Sequence, residues 1–444
     1  MAYGYAGKIL LVDLTAKTTS TIDTAKYAEF GGGVGIGAAI FWDLAVAPGD
    51  WDLQDAFDPR NVISLMSGPL AATGVPGGGR TSVCAIAPET FPTPLFHRTS
   101  FGGRFATMLK LAGWDGVVVR GKADRPVWIN IIDDKVVIED AKALWGMNTY
   151  ETQGQISTMV AGRTRFGDEW HQAGDAYTTA RPQIVCIGPV GESATRVAAL
   201  IHGSGVSART GGFGGVFGSK NLKAIAVRGH ARPEIADPER LRELARWGRD
   251  HFEESGVYGM GLNGTANGVR NLQETGALPT RNWSSGVFEG WEALWGETMT
   301  RTILKERDTC YGCLIRCKRV VEVSEGPFRA DPRYGGPEYE TVAAMGSYCG
   351  VDDLAAISLA NEICNQYGMD TISCGAAVAF AMDCFERGIL TPADTGGVDL
   401  RFGNAAAMVQ MVQSIADRQG LGDLLAEGSY RAAQEIGRGA EDPE

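Results

Sequence analysis

What this 444-residue sequence lacks narrows its function first. It has no excess of positive charge: 41 Lys and Arg stand against 53 Asp and Glu, a formal charge of −12. Nucleic acid and anionic membrane surfaces call for the opposite sign, so neither is expected as the main partner. No run reaches the ~18 apolar residues of a membrane helix. The stretch "SCGAAVAFAM", 373–382, is among the longest and is too short. The N-terminus, "MAYGYAGKILLVDLT", has no basic region followed by an apolar core, so no secretory signal is expected. Nine cysteines, an odd number without such a signal, argue against a disulfide framework and for thiols or metal ligation. There is no internal repeat and no low-complexity segment.

What is present is an ordinary globular balance, 44% hydrophobic and 21% charged, long enough for two or three domains. Glycine is abundant, 60 residues, which points to tight turns and close backbone approach to something bound. Up to about residue 230 the pattern is strand, turn, strand. "KILLVDLTAKTTSTIDT" and "PVWINIIDDKVVIEDA" read as hairpins, the second turning at Asp133-Asp134. "NVISLMSGPL", "DGVVVRG", "VAALIHG" and "LKAIAVRG" read as short strands. Glycine-rich segments at 31–37, 77–79, 102–103 and 211–218 read as loops between them. Beyond 230 the pattern is helical. Asp237-Pro238 opens one helix, and helices over 352–367, 371–387, 404–419 and 423–436 each stop before a glycine. The expected fold class is α+β: a sheet-rich domain, 1–230, followed by a mostly helical domain, 231–444.

Three chemical signals stand out. "GGGVGIGAA" contains G-x-G-x-x-A, but neither the strand before it nor the acidic strand end after it is convincing, so a structural turn is expected. In "DTCYGCLIRCKRV", Cys310, Cys313 and Cys317 stand at C-x2-C-x3-C spacing. Soft thiolates so close select an iron–sulfur cluster or zinc, each wanting a fourth ligand, with unliganded thiols as the remaining alternative. The other six cysteines read as packing. In "YGGPEYETVAAMG", Glu338 and Glu340 alternate just before an apolar run. They read equally as carboxylates poised for proton transfer and as a helix N-terminus favoured by its dipole. "NQYGMDTIS" joins two helices, with Gly368 as C-cap and Asp370 ahead of fresh N–H groups.

Taken together these segments resemble the tungsten-dependent aldehyde:ferredoxin oxidoreductase family. The blocks run in family order from "GKILLVDLT" and "GGGVGIGAAIF" through "GPLAATGVPGGGR", "SFGGRFATMLKLAGWDGVVVRGKA", "CIGPVGE" and "GGFGGVFGSKNLKAIAV". They continue through the cysteine trio, "GGPEYETVAAMGSYCGVDDLA", "YGMDTIS" and "GLGDLLAEGSYRAA".

The resemblance implies a first domain on which two pyranopterin-dithiolene molecules chelate one tungsten or molybdenum, with magnesium as a further ion. It places Arg80, Ser100, Gly102 and Arg209 at a pterin, Ser100 replacing a family asparagine and Arg209 shifted by one position. Asn365, Met369 and Asp370 fall in a D-x-x-G-L-D pterin motif that here reads N-Q-Y-G-M-D. Glu340 matches a glutamate beside the metal. Cys310, Cys313 and Cys317 match three of four ligands to a [4Fe–4S] cluster, the fourth lying in a third family domain that this sequence does not include. Leu359 and Val409 stand where some members hold a subunit-bridging iron, so no such bridge is expected.

The implied activity is oxidation of a small aldehyde to a carboxylate, with electrons leaving through the cluster to ferredoxin or a partner subunit in the cytoplasm. The alternatives are an incomplete or inactive member needing a partner that supplies the C-terminal domain, and a subunit of the benzoyl-CoA reductase type.

Overall fold

The computed structural model describes residues 3–49, 52–163 and 181–441. The chain divides into two compact units. The first holds residues 1–194, 198–253 and 310–314; the second holds 195–197, 254–309 and 315–444.

The first unit is built on two six-stranded sheets. One has the order β2-β1-β6-β3-β4-β5, from β1 (Lys8–Asp13), β2 (Thr18–Asp23), β3 (Ile63–Ser67), β4 (Thr81–Ala87), β5 (Leu95–Phe101) and β6 (Gly116–Arg120). The other has the order β11-β10-β9-β12-β7-β8, from β7 (Val127–Ile132), β8 (Lys135–Asp140), β9 (Gln183–Cys186), β10 (Leu200–His202), β11 (Val206–Ala208) and β12 (Leu222–Arg228). Both expected hairpins form, β1 with β2 and β7 with β8, the latter turning on Asp133 at φ 52°.

Continuous apolar strands arise because both faces of each sheet are covered. Val117 and Val119 join the cluster shared by the two sheets, while Val118 joins one with Ile36 and Ile40 of the Val34–Phe41 helix. On the second sheet Ile129, Ile131, Ile225 and Val227 face the shared core. Trp128, Ala224 and Ala226 face Ile156 and Val160 of the Thr149–Arg163 helix instead. Full burial of each of these valine and isoleucine side chains stabilises the fold by roughly 1.5–3 kcal/mol.

Two glycine segments read as loops are helices. Residues 31–37 lead into Val34–Phe41, and 211–218 form most of Phe213–Ser219. Glycine serves both turning and close packing there: Gly31, Gly33, Gly211 and Gly212 have positive φ, whereas a Cβ at Gly35 would lie 2.1 Å from the Phe30 carbonyl oxygen, and one at Gly218 1.8 Å from that of Gly191. The segment before G-x-G-x-x-A is a 3₁₀ helix, Thr24–Phe30, so no strand feeds a dinucleotide fingerprint. Strand β5, "LFHRTSF", carries no clear apolar alternation and was not legible.

The second unit contains a two-stranded ribbon, β13 (Leu304–Asp308) with β14 (Lys318–Val321), and is otherwise helical. Its main helices are Tyr339–Met345, Leu354–Tyr367, Thr371–Glu386 and Ala405–Asp417. Asp353, Asp370 and Asn404 cap three of them by accepting backbone N–H bonds. Gly368 closes Leu354–Tyr367 in the left-handed conformation at φ 79°.

Two helix ends differ from expectation. Ala405–Asp417 stops because Arg418, not Gly420, takes the left-handed position. The stretch 423–436 is two helices, Leu421–Leu425 and Ser429–Ile436, broken at Gly428 with φ 90°. Among the described residues no single helix is long and apolar enough to cross a membrane.

Candidate functional site

In the first unit the site grows from the ends of β4 and β5, which pair Ser82 with Ser100 and Thr81 with Phe101. Arg80 immediately precedes β4. Its Nε donates to Ser100 Oγ at 3.1 Å, and its Nη2 to Ser100 Oγ and to Ser100 O, both at 2.9 Å. Beyond Phe101 the chain turns through Gly102 and Gly103 into the Phe105–Leu111 helix.

Cys310 is seated on that turn. Gly103 N–H donates to Cys310 Sγ at 3.1 Å, and Tyr311 N–H donates back to Gly103 O at 3.0 Å. A Cβ at Gly102 would lie 2.6 Å from the Cys310 sulfur, so only glycine admits it. Cys313 N–H donates to Cys310 O at 3.1 Å, closing a tight turn in which Gly312 has φ 64°. Arg209 enters by its backbone: its carbonyl accepts from Thr99 Oγ1 at 2.9 Å, while its Nε donates to Ser207 Oγ at 2.7 Å. Arg80, Ser100, Gly102 and Cys310 are thus brought together, with Arg209 adjoining through Thr99.

The turn has a support that no local pattern disclosed. His202, at the end of β10, is buried between the rings of Phe101 and Phe105, with centroids 5.8 and 6.2 Å away. Arg104 N–H donates to its Nε2 at 3.1 Å, and its Nδ1 lies 2.7 Å from Ile184 O.

In the second unit Cys317 precedes β14, and Arg319 governs the backbone around it. Arg319 is 1% exposed and donates only to carbonyls: Cys317 O at 3.1 Å, Leu262 O at 2.7 Å, Arg316 O at 2.5 Å and Gly261 O at 3.3 Å. Burial, followed by the neighbouring Arg307 charge, lowers its pKa to about 10, so it stays a cation at neutral pH. Arg319 was missed because a basic residue after the trio reads as surface.

The two glutamates lie at a helix start. Glu338 is the extended N-cap residue of Tyr339–Met345, and Glu340 is exposed in its first turn. Burial first, and the Glu340 charge second, push the phenol between them, Tyr339, up to about 12.

Asp370 is 1% exposed and works as an N-cap: its carboxylate accepts from Ile372 N at 3.0 Å, Ser373 N at 3.1 Å and Ser373 Oγ at 2.6 Å. Its own N–H donates to Val197 O at 2.8 Å. Asn365 is buried and donates through Nδ2 to Tyr334 O at 2.9 Å, fixing the approach to Gly335-Gly336. Met369 is buried, its N–H on Cys364 O at 2.7 Å.

The remaining cysteines are buried thiols. Burial raises Cys84 to about 11, Cys186 to about 12 and Cys384 to about 11, and Cys349 also rises. A hydrogen bond with Cys364, then burial, raises Cys374. Cys310, Cys313 and Cys317 are instead half-buried. Among the described residues no group of three or more His, Cys, Asp or Glu stands together as a single-ion site.

Residues 9–229 match the family model described as the N-terminal domain of aldehyde ferredoxin oxidoreductase, and residues 243–443 match that of its domains 2 and 3. The tungsten-containing aldehyde ferredoxin oxidoreductase of Pyrococcus abyssi is 38% identical over 440 residues, 97% of this chain and 67% of that protein. The chain belongs to the aldehyde ferredoxin oxidoreductase family.

An aliphatic sulfonate oxidoreductase, WOR-like subunit, of Pyrococcus furiosus is 31% identical over 98% of this chain and 68% of its own length. Among solved structures, the active-site complex BamBC of benzoyl-coenzyme A reductase matches with TM-score 0.79 and 28% identity, covering 100% of this chain and 65% of that one. The chain therefore spans about two thirds of the length of these relatives.

An aldehyde ferredoxin oxidoreductase of the tungsten-containing kind implies a pterin-bound metal, and residues of the first unit fit a polar, flat group. Beside the Arg80–Ser100 pair a Cβ at Gly79 would lie 3.5 Å from Thr107 Oγ1, a buried hydroxyl without a partner among the described residues. Glycine at 77–79 and 102–103 leaves the backbone bare of side chains for close approach, with Gly78 N–H given to Val75 O and Gly103 N–H to Cys310 Sγ. For a cluster, the fit is the donor chemistry of three half-buried sulfurs and the cradle at Gly102.

Proposed function

We propose that this chain is a tungsten- or molybdenum-dependent oxidoreductase that converts an aldehyde to a carboxylate and passes the electrons through a [4Fe–4S] cluster. The observation that carries this reading is the Gly102-Gly103 turn, which admits and hydrogen-bonds the Cys310 sulfur in a chain 38% identical to tungsten-containing relatives. The bound metal would supply the two-electron redox chemistry.

The chain's own residues have separate tasks. Arg80, held on Ser100, presents its charge at the glycine ledge and binds an anionic edge of the pterin. Gly102 keeps room for the sulfur, and Arg209 braces β5 through Thr99. Asn365, Met369 and Asp370 hold the helix junction that carries the N-Q-Y-G-M-D pterin motif, with Asp370 committed chiefly to its cap. Glu340, exposed at its helix start, takes the proton released at the substrate. Cys310, Cys313 and Cys317 ligate the cluster. Ferredoxin or an electron-transfer subunit receives the electrons in the cytoplasm, and magnesium accompanies the pterin.

A second reading is favoured by the likeness to a benzoyl-coenzyme A reductase active-site complex and by coverage of 65% of that chain. In it the chain is one subunit, and a partner supplies the fourth cluster ligand. Elemental analysis of the anaerobically purified chain, with aldehyde-dependent viologen reduction, separates the two. Tungsten or molybdenum with about four irons and turnover supports the first reading. Metal uptake only with a co-expressed partner supports the second, and neither metal under any condition sinks both.

A further inference from the structure

We propose that His202 is a positioning residue for the cluster: a neutral imidazole that holds the Arg104 amide so that the adjoining Gly103 amide points at the Cys310 sulfur. This rests on the reading of Cys310 as a cluster ligand. No aspect of it concerns substrate.

The hydrogen bonds fix the tautomer. Ile184 O can only accept, so the Nδ1 it faces at 2.7 Å carries the proton. Arg104 N–H can only donate, so Nε2 at 3.1 Å is the bare nitrogen. An imidazole with both nitrogens protonated would set one N–H against another at Arg104.

The ring is also a steric template. Gly103 has φ 82°, a conformation glycine tolerates and other residues resist. A Cβ there would lie 2.5 Å from His202 Cδ2 and 2.7 Å from Nε2, so the imidazole packs against the glycine itself. With His202 only 3% exposed and flanked by Phe101 and Phe105, water has little room to replace it.

Three consecutive residues are therefore locked in sequence. Arg104 is held by the imidazole, Gly103 is pressed into its left-handed turn, and Gly102 stays open for the sulfur. The functional output is the Gly103 N–H to Sγ bond at 3.1 Å. Hydrogen bonds to cluster sulfurs stabilise the more negative, reduced cluster and raise its potential.

The test uses the anaerobically prepared full chain, its iron content, thermal unfolding, and a redox titration followed by electron paramagnetic resonance. His202→Leu removes the acceptor; His202→Gln restores one near Nε2. The leucine variant is expected to keep iron but to titrate at a more negative midpoint, with a changed resonance line shape. The glutamine variant is expected to return toward wild type.

A leucine variant with wild-type iron and an unmoved midpoint overturns the inference and leaves the proposed function standing. If the leucine variant does not fold, His202→Phe, which keeps a ring between Phe101 and Phe105 but offers no acceptor, takes its place: a more negative midpoint supports the role, and an unmoved one contradicts it. A wild-type chain that takes up no iron overturns both the inference and the reading beneath it.

Discussion

The two ends of one short motif are held by opposite means. Cys310, in the first unit, sits where side chains have been removed: glycine at 102 and 103 opens the space, and a backbone amide reaches the sulfur. Cys317, in the second unit, sits where a large side chain has been added: the buried Arg319 gathers four carbonyls, that of Cys317 among them. The first arrangement acts on the sulfur directly and tunes it. The second acts on the peptide and fixes position, bringing positive charge near the Cys317 sulfur as a consequence. That both residues are cysteines thus says little about how each is held.

Emptying the Arg319 cage has the largest expected effect. Arg319→Met strands four carbonyls in a buried region, and unmet buried polar groups cost about 1–3 kcal/mol each. With partial relief by water, a loss of roughly 4 kcal/mol is expected in urea unfolding. A loss below about 1 kcal/mol would show that the cage is ornamental.

Filling the cradle is the next largest. Gly102→Ala puts a methyl 2.6 Å from the Cys310 sulfur, so the turn or the cysteine must move. A cost of about 2 kcal/mol is expected, accompanied by loss of iron measured against a Gly248→Ala control. Full iron retention would mean the turn yields easily.

The first unit also has a carbonyl-caged cation, which tests whether caging alone explains Arg319. Lys220 is fully buried, with Nζ on Pro59 O and Gly121 O, both at 3.1 Å, and burial lowers its pKa to about 7. The unfolded lysine holds its proton up to about pH 10.4, whereas the folded one releases it near 7. The unfolded state binds more protons in that window, so stability should rise with pH from 7 toward 10, by at most about 1.4 kcal/mol per pH unit. Lys220→Met should flatten that slope; an equal slope in both proteins would place the titration elsewhere.

The smallest effect separates structure from function at Asp370. Asparagine caps helices as well as aspartate does, so Asp370→Asn should change stability by less than about 0.5 kcal/mol, whereas Asp370→Ala should cost about 1 kcal/mol. If Asp370→Asn nevertheless lowers tungsten content, the carboxylate does more than cap.

Much of the fold was legible because buried strands and capped helices announce themselves. Val117–Val119 and Ile129–Ile131 read as strands because both faces of their sheets are covered. Asp237, Asp353 and Asn404 marked helix starts by the residue type an N-cap needs. Glycine misled where it served packing: Gly214 and Gly218 lie inside a helix pressed against neighbouring backbone.

In the candidate site, the cysteine trio was visible through its spacing, and Arg80, Ser100 and Gly102 through family resemblance. His202 and Arg319 were not. Their partners include backbone atoms remote in sequence, Ile184 and Arg104 for one, and Gly261 and Leu262 for the other beside its local bonds to Arg316 and Cys317. No local pattern encodes a bond to a distant carbonyl.

On the proposed function, the sulfur resting on Gly103 binds iron. The most direct measurement is low-temperature paramagnetic resonance of the reduced, iron-quantified wild-type chain beside Cys310→Ser. A cluster signal is expected in the wild type and is lost or converted in the variant. Identical signals in both, or iron in neither, would contradict it.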